Sequence, residues 1–551
     1  MKKILPFLLI MLFLFSCQEK EKPFFFKKYD ETAELAAQQN HESKRMQFKL
    51  LQSKYLDMNA VFAPFEKELA TFTEETYNKL KGLVLEKDIP TLQKSVNEGA
   101  LSYENLTKFY LYRIRKFESD SSLFLNSIIA LNPNVISQAK EKDKNRIAEN
   151  IGRLPDLSLF GMPILLKDNI NTKDMPTTAG AIALAENVNT QDAFIVERLR
   201  EHGALILGKV NLSEWAYFFC TDCPLGYSAI GGQTLNPYGR KIFETGGSSA
   251  GSGVAIAANF AVAAIGTETS GSITSPSSLN SVVGLKPTIG LLSRTGIVPI
   301  SSTLDTPGPM TKSVIDNYIL LHALLGKDIK DAASFEVNPD RYFGDYNKVL
   351  KEKKIGILKP LLKDSIYQLT INKLRKAGAE IIEITPSELS FNGFTTLLNI
   401  DMKYDLPKYL YNHVDKKVAV RSIEDIIRFN LQDTLLRAPY GQQLFEGIVK
   451  DSTTVTELEL ITYRLASEGR KYLQALDDEN LAAILSINNY HSGIAAVAKY
   501  PTLTVPMGYK ESGEPISLTF IGKPKAEGRL YALAFAFEQL INARKMPKNY
   551  Q

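Results

Sequence analysis

The stretch 244–276, ETGGSSAGSGVAIAANFAVAAIGTETSGSITSP, constrains the fold more than any other part of the chain. Two Gly/Ser clusters, Gly246-Gly247-Ser248-Ser249 and Ser270-Gly271-Ser272, flank a run of mostly small apolar residues. Glycine and serine favour tight turns and helix starts, whereas the run 254–266 favours burial. A helix of about ten residues leaving the first cluster climbs roughly 15 Å. A strand of about six residues through 261–266 travels back about 20 Å. These lengths nearly cancel, so the second cluster is expected beside the first. Several hydroxyls and many backbone N–H groups then meet at one point, as hydroxyl nucleophile chemistry requires. Plain turns around a buried hairpin fit the same spacing.

Residues 162–166 form a short apolar run ending in Lys167, a strand that delivers a lysine to the end of a sheet. A lysine held among apolar neighbours is readily neutral and can act as a base. A snorkelling lysine instead keeps its head in water. Lys209 and Lys286 sit in similar contexts, and periodicity does not choose among the three. Residues 192–203 read as a capped helix with Ala193, Val196 and Leu199 inward and Gly203 as its stop. A buried strand follows at 204–207. This helix-then-strand rhythm, repeated at 249–266, indicates an α/β architecture. The run Gly203 to Lys209 imitates a phosphate loop, but Val210 replaces the required hydroxyl. A second imitation is closer. Gly247-Ser248-Ser249-Ala250-Gly251 fits a nucleophile elbow with Ser249 as nucleophile, and His322, His413 and His491 are available partners. The strand that should lead into that elbow, 241–245, is short and weak.

The sequence also resembles the amidase signature family. The matching pieces are GMPILLKDNI at 161–170, GGSSAGSG at 246–253, GTETSGSI at 266–273, GLKPT at 284–288, YPTLTVPMGY at 500–509 and SLTFIGKP at 517–524. The resemblance covers most of the chain after about residue 86, with a weaker middle. It implies a large mixed β-sheet core covered by helices on both faces, and an amidase using a Ser-cisSer-Lys unit without a cofactor or metal. Carried over by position, Ser272 is the acylated nucleophile, Ser248 the bridging serine in a cis peptide, and Lys167 the base. The backbone N–H groups of Thr269, Ser270, Gly271 and Ser272 form the oxyanion hole. In wording, GTET…GSI is more similar to bacterial peptide amidases and general amidases than to tRNA-dependent amidotransferase subunits. Many members carry Arg where this chain has Thr274, and Gly or Asp where it has Ser270. Losing that cation argues against recognition of a substrate carboxylate there.

Residues 1–17, MKKILPFLLIMLFLFSC, place two lysines before an apolar run too short for an ordinary spanning helix. Leu14-Phe15-Ser16-Cys17 resembles a bacterial lipoprotein box, which implies lipidation of Cys17 and an envelope protein held to a membrane. Residues 18–85 are polar and helical in flavour, a tether and N-terminal helical arm. The catalytic domain is expected over 86–551, with 330–480 a variable helical region near the substrate entrance. Ser102 is placed to cap a helix whose Leu106, Tyr110, Ile114 and Phe117 recur at helical spacing. The net charge of +4 and the lack of a strong basic patch do not favour nucleic acid as a partner. Cys220 and Cys223, in CTDC, read as structural, and no His or Cys cluster nearby completes a zinc site. The expected function is hydrolysis of a small-molecule or peptide carboxamide. A Ser249 esterase of α/β-hydrolase type and a catalytically silent envelope binding lipoprotein are the alternatives.

Overall fold

A computed structural model describes residues 24–148, 155–337, 350–351 and 353–551. The expected leader and lipidation site at Cys17 lie outside these residues. In chain order the strands are β1 (Ile128–Leu131), β2 (Pro163–Lys167), β3 (Leu205–Val210), β4 (Tyr227–Ser228), β5 (Gly232–Gln233), β6 (Ala263–Glu268) and β7 (Val283–Lys286). They continue with β8 (Thr306–Thr311), β9 (Lys354–Leu358), β10 (Glu380–Ile384), β11 (Ala483–Ile487), β12 (Thr502–Tyr509) and β13 (Pro515–Ile521). All but the small β4–β5 ribbon join one eleven-stranded sheet, ordered β1-β3-β2-β6-β8-β7-β12-β13-β11-β9-β10. It is mixed: β3, β2 and β6 run parallel, β6 to β13 pair antiparallel, and β11, β9 and β10 are parallel again. Helices cover both faces, as the family resemblance implies.

The expected helix-and-strand return from the first Gly/Ser cluster is present as helix Ala250–Ala257 followed by β6. Every residue of that helix is buried, which suits a segment apolar or small on all sides. Its glycines permit the close approach. A Cβ at Gly251 would stand 2.4 Å from the Asn211 carbonyl oxygen, and the Gly251 N–H donates to that same oxygen at 2.9 Å. The lysine strand ends at Lys167 itself, as expected. In the β2–β6 register Leu166 lies opposite Ile265, so Lys167 and Thr267 finish side by side at the carboxyl ends of two parallel strands. Open α/β sheets place ligands at such ends.

Periodicity located other elements with small errors. Ser102 caps helix Tyr103–Glu118, accepting from Asn105 N–H at 3.1 Å, and Leu106, Tyr110, Ile114 and Phe117 are buried. Helix Phe194–Glu201 has no side-chain cap. Asp192, where the expected capped helix was to begin, accepts from the Lys173 N–H and from Arg200. The last long helix, Glu527–Ile541, buries Leu530, Leu533 and Phe537 and leaves Leu540 40% exposed. Ile541, one residue on, packs against the core in its place. Residues of the N-terminal segment, among them Phe48, Leu51, Phe62, Phe65 and Tyr77, belong to the same apolar cluster as the sheet. Among the described residues no helix is long and apolar enough to cross a membrane.

Candidate active site

Lys167 is fully buried at the end of β2. Its Nζ has three oxygen neighbours: Ser248 Oγ at 2.8 Å, Thr267 Oγ1 at 2.8 Å and the Thr267 carbonyl at 3.1 Å. Burial disfavours the ammonium and brings the group down to about 7, against the opposing pull of Asp305 and Glu268. An ammonium donates to all three oxygens; the neutral amine has two N–H donors and one lone pair, and with the donors on the Thr267 oxygens that lone pair would face the Ser248 hydroxyl. The competing lysines are placed differently. Lys209 is fully buried in an ion pair with Asp168 at 3.3 Å and also bonds Thr177 Oγ1 at 3.0 Å. Lys286 donates to the Tyr500 carbonyl at 2.7 Å. Of the three, Lys167 alone bonds a serine of the Gly/Ser clusters.

The Gly247–Ser248 peptide bond is cis. Ser248 is fully buried, and its carbonyl accepts from the Ser213 N–H at 3.0 Å. The second cluster does return beside the first: the Ser249 N–H donates to the Ser272 carbonyl at 3.1 Å. Ser272 itself keeps partial exposure, unlike Lys167 and Ser248. The loop 269–272 is fixed at both ends. Upstream, Thr269 Oγ1 donates to Asp305 at 2.5 Å. Downstream, Glu268 accepts from the N–H groups of Ile273 and Thr274, each at 2.8 Å. Yet among the described residues none of the four N–H groups of residues 269–272 donates to a protein acceptor. Such a run of unpartnered amides is a cradle for negative charge.

Thr267, Asn169 and Asp305 were missed by sequence reasoning. Asn169 Nδ2 donates to Thr267 Oγ1 at 3.0 Å, so Thr267 is held in place from its far side. Asp305 accepts from Ile300 N–H at 2.8 Å and Ser301 N–H at 2.9 Å, and burial raises its carboxyl to about 6. The usable signal for Asp305 was its isolation as the sole charged residue in 295–311. Thr274 is fully buried, its hydroxyl 3.0 Å from Glu268, so it does not face a ligand.

The nucleophile elbow is not built. Residues 241–245 form no strand, and Ser249 Oγ is tied to the backbone of Thr267, donating to its carbonyl at 3.1 Å and accepting from its N–H at 3.2 Å. Cys220 and Cys223 are joined as a disulfide within an apolar cluster that includes Trp215 and Phe445. Among the described residues no three His, Cys, Asp or Glu side chains are grouped to hold a metal ion. A cavity of about 540 Å³ adjoins the lysine, with Asn169, Thr267 and Thr269 on one wall and Ile297, Ile300 and Tyr409 among its other residues. Tyr409 comes from helix Phe394–Asn412, inside the region expected to be variable. The Asn169 Oδ1 is buried and has no partner among the described residues.

A buried lysine bonded to a serine, next to a run of free amides and a partly exposed serine, is a layout suited to hydrolysis by a hydroxyl nucleophile. Comparison with known proteins gives the class a family. A family model described as Amidase matches residues 105–438, more than half of the chain. An Arabidopsis thaliana protein named as an amidase is 37% identical over 481 residues, covering 84% of this chain and 92% of its own. The crystal structure of an amidase family protein from Bacillus anthracis has a TM-score of 0.82 at 37% identity, covering 90% of this chain and 100% of that one. The native peptide amidase from Stenotrophomonas maltophilia has a TM-score of 0.76 at 38% identity, covering 84% and 98%. The chain belongs to the amidase family, and it is a hydrolase of amide C–N bonds.

Proposed function

We propose that the protein hydrolyses a carboxamide to a carboxylic acid and ammonia or an amine, through an acyl-enzyme on Ser272. Neutral Lys167 takes a proton from Ser248 while Ser248 takes one from Ser272. The Ser272 oxygen forms a bond to the amide carbon, and the carbonyl oxygen becomes an oxyanion among the N–H groups of residues 269–272. The proton returns from Lys167 through Ser248 to the amide nitrogen, and the C–N bond breaks. Water then repeats the sequence on the ester and releases the acid. The observation that carries this reading is the 2.8 Å contact between Lys167 Nζ and Ser248 Oγ in a fully buried setting. The cavity of about 540 Å³ beside Thr267 and Thr269 supports entry of a substrate from that side. A peptide amide or a small aliphatic or aryl amide fits the resemblance to peptide amidases.

The test is release of ammonia from a panel of primary carboxamides, including peptide amides, by the purified protein. Turnover of at least one amide is expected. No release from any, together with no acylation by a fluorophosphonate probe, would leave the silent binding protein as the better account. We further propose that the chain is a lipoprotein of the bacterial cell envelope, anchored through Cys17. The short apolar run ending at that cysteine supports it. Cys17→Ser is expected to abolish labelling by a fatty acid and to free the protein from the membrane fraction. Unchanged labelling would sink the anchor.

A further inference from the structure

The open side of the nucleophile loop carries polar groups that the proton path does not use. A Cβ built on Gly271 would stand 3.3 Å from Asn489 Nδ2 and 3.6 Å from Ser492 Cβ. One built on Gly493 would stand 3.3 Å from Phe391 Cζ and 3.5 Å from Ser270 Oγ. The segment 489–493 therefore lies against residues 270–271, with the Phe391 ring beside it. Ser492 is 3% exposed, yet its Oγ has no hydrogen-bond partner among the described residues. The side chains of Ser270 and Asn489 likewise form no hydrogen bond among the described residues, and both keep partial access to solvent. Buried hydroxyls are nearly always paired, so an orphan beside an open nucleophile marks a group awaiting a ligand.

The chemistry of the set limits that ligand. None of the three side chains carries a charge, so neither a carboxylate nor an ammonium finds its counter-ion in them. An asparagine amide offers donors and an acceptor together, and each serine hydroxyl offers both. A neutral group that is itself donor and acceptor is the complement, and a secondary amide is the commonest such group. The exposed face of Phe391 supplies an apolar wall next to it.

We propose that Ser270, Asn489 and Ser492 form a subsite for a second amide of the substrate, the one adjoining the scissile carboxamide. This rests on the amidase reading above and narrows it to substrates that carry an acylated amino group next to the carboxamide.

The experiment compares two primary amides that share a phenyl ring and a scissile group. N-acetylphenylalaninamide has the second amide, and 3-phenylpropanamide lacks it. Wild-type protein is expected to favour the first in kcat/KM by about tenfold or more, since a site built around hydrogen bonds penalises the analogue that cannot make them. Asn489→Ala and Ser492→Ala are each expected to reduce that preference by about tenfold. The loss falls on the acylated substrate and appears mainly in KM. Labelling of each variant by a fluorophosphonate reports that the fold and the nucleophile are intact. Equal losses on both substrates, or no loss on either, overturn the subsite while leaving the amidase reading in place. Wild-type protein that hydrolyses neither amide and takes no label overturns both.

Discussion

Ser272→Ala is expected to lower the rate of ammonia release by about 10⁴-fold or more, and to abolish acylation by a fluorophosphonate. The size follows from what the substitution removes. Lysine and bridging serine together only move a proton, and without the Ser272 oxygen there is no bond to the acyl carbon. The free N–H groups of residues 269–272 still bind a carbonyl oxygen, so a small residual rate over water persists.

Ser249→Ala makes the complementary test. Ser249 is the serine that an elbow motif would choose, and it stands next to Ser248 in sequence. Its hydroxyl bonds the Thr267 carbonyl and N–H, and it is fully buried. Removing it disturbs β6, whose Thr267 bonds the Lys167 amine, but leaves an acylatable Ser272, so probe labelling is expected to survive. A probe adduct mapped to residue 249, or undiminished turnover by the Ser272 variant, would reverse the assignment in favour of an esterase.

The same contrast separates what the sequence revealed from what it did not. The meeting of the two Gly/Ser clusters is a local matter, fixed by a short helix and a short strand whose lengths nearly cancel. The buried face of helix Tyr103–Glu118 was legible for the same reason. The choice of lysine was not legible from pattern. Lys167, Lys209 and Lys286 all lie in strands and all are fully buried. What distinguishes them is which strand lies alongside, and pairing between strands about 100 residues apart leaves no periodic trace. The family resemblance named Lys167. The β2–β6 register then supplies the physical reason, Thr267 as its neighbour. Asp305 reaches the site in a similar way. Antiparallel pairing of β8 with β6 sets Thr306 opposite Glu268, and so carries Asp305 to Thr269. In residues 24–85 the aromatic residues that bury themselves are scattered among polar ones. Within helix Glu74–Val84 the buried Tyr77, Leu80 and Val84 keep helical spacing, and what the pattern alone does not give is the surface they pack against.

The pH profile gives the last and most discriminating expectation. If Lys167 is the base, only its neutral form works. With burial bringing it to about 7, kcat/KM should rise about tenfold per pH unit below 7 and level off above. An exposed lysine, ionising near 10.4, would place that rise some three units higher. Lys167→Ala is expected to lower turnover at pH 8 by about 10⁴-fold or more. Lys167→Arg should be no better, because a guanidinium stays charged throughout this range and cannot accept the proton. Asp305 refines the test. Its carboxylate favours the charged form of Lys167, so Asp305→Asn should move the rising limb to lower pH. Stability follows the same titration. Between about pH 7 and 10.4 the unfolded chain holds a proton on this lysine that the folded chain lacks, so its contribution to stability grows as pH rises through that window. A limb centred near pH 10 would show that the lysine is charged at neutral pH. The proton path from Ser272 would then need a different acceptor.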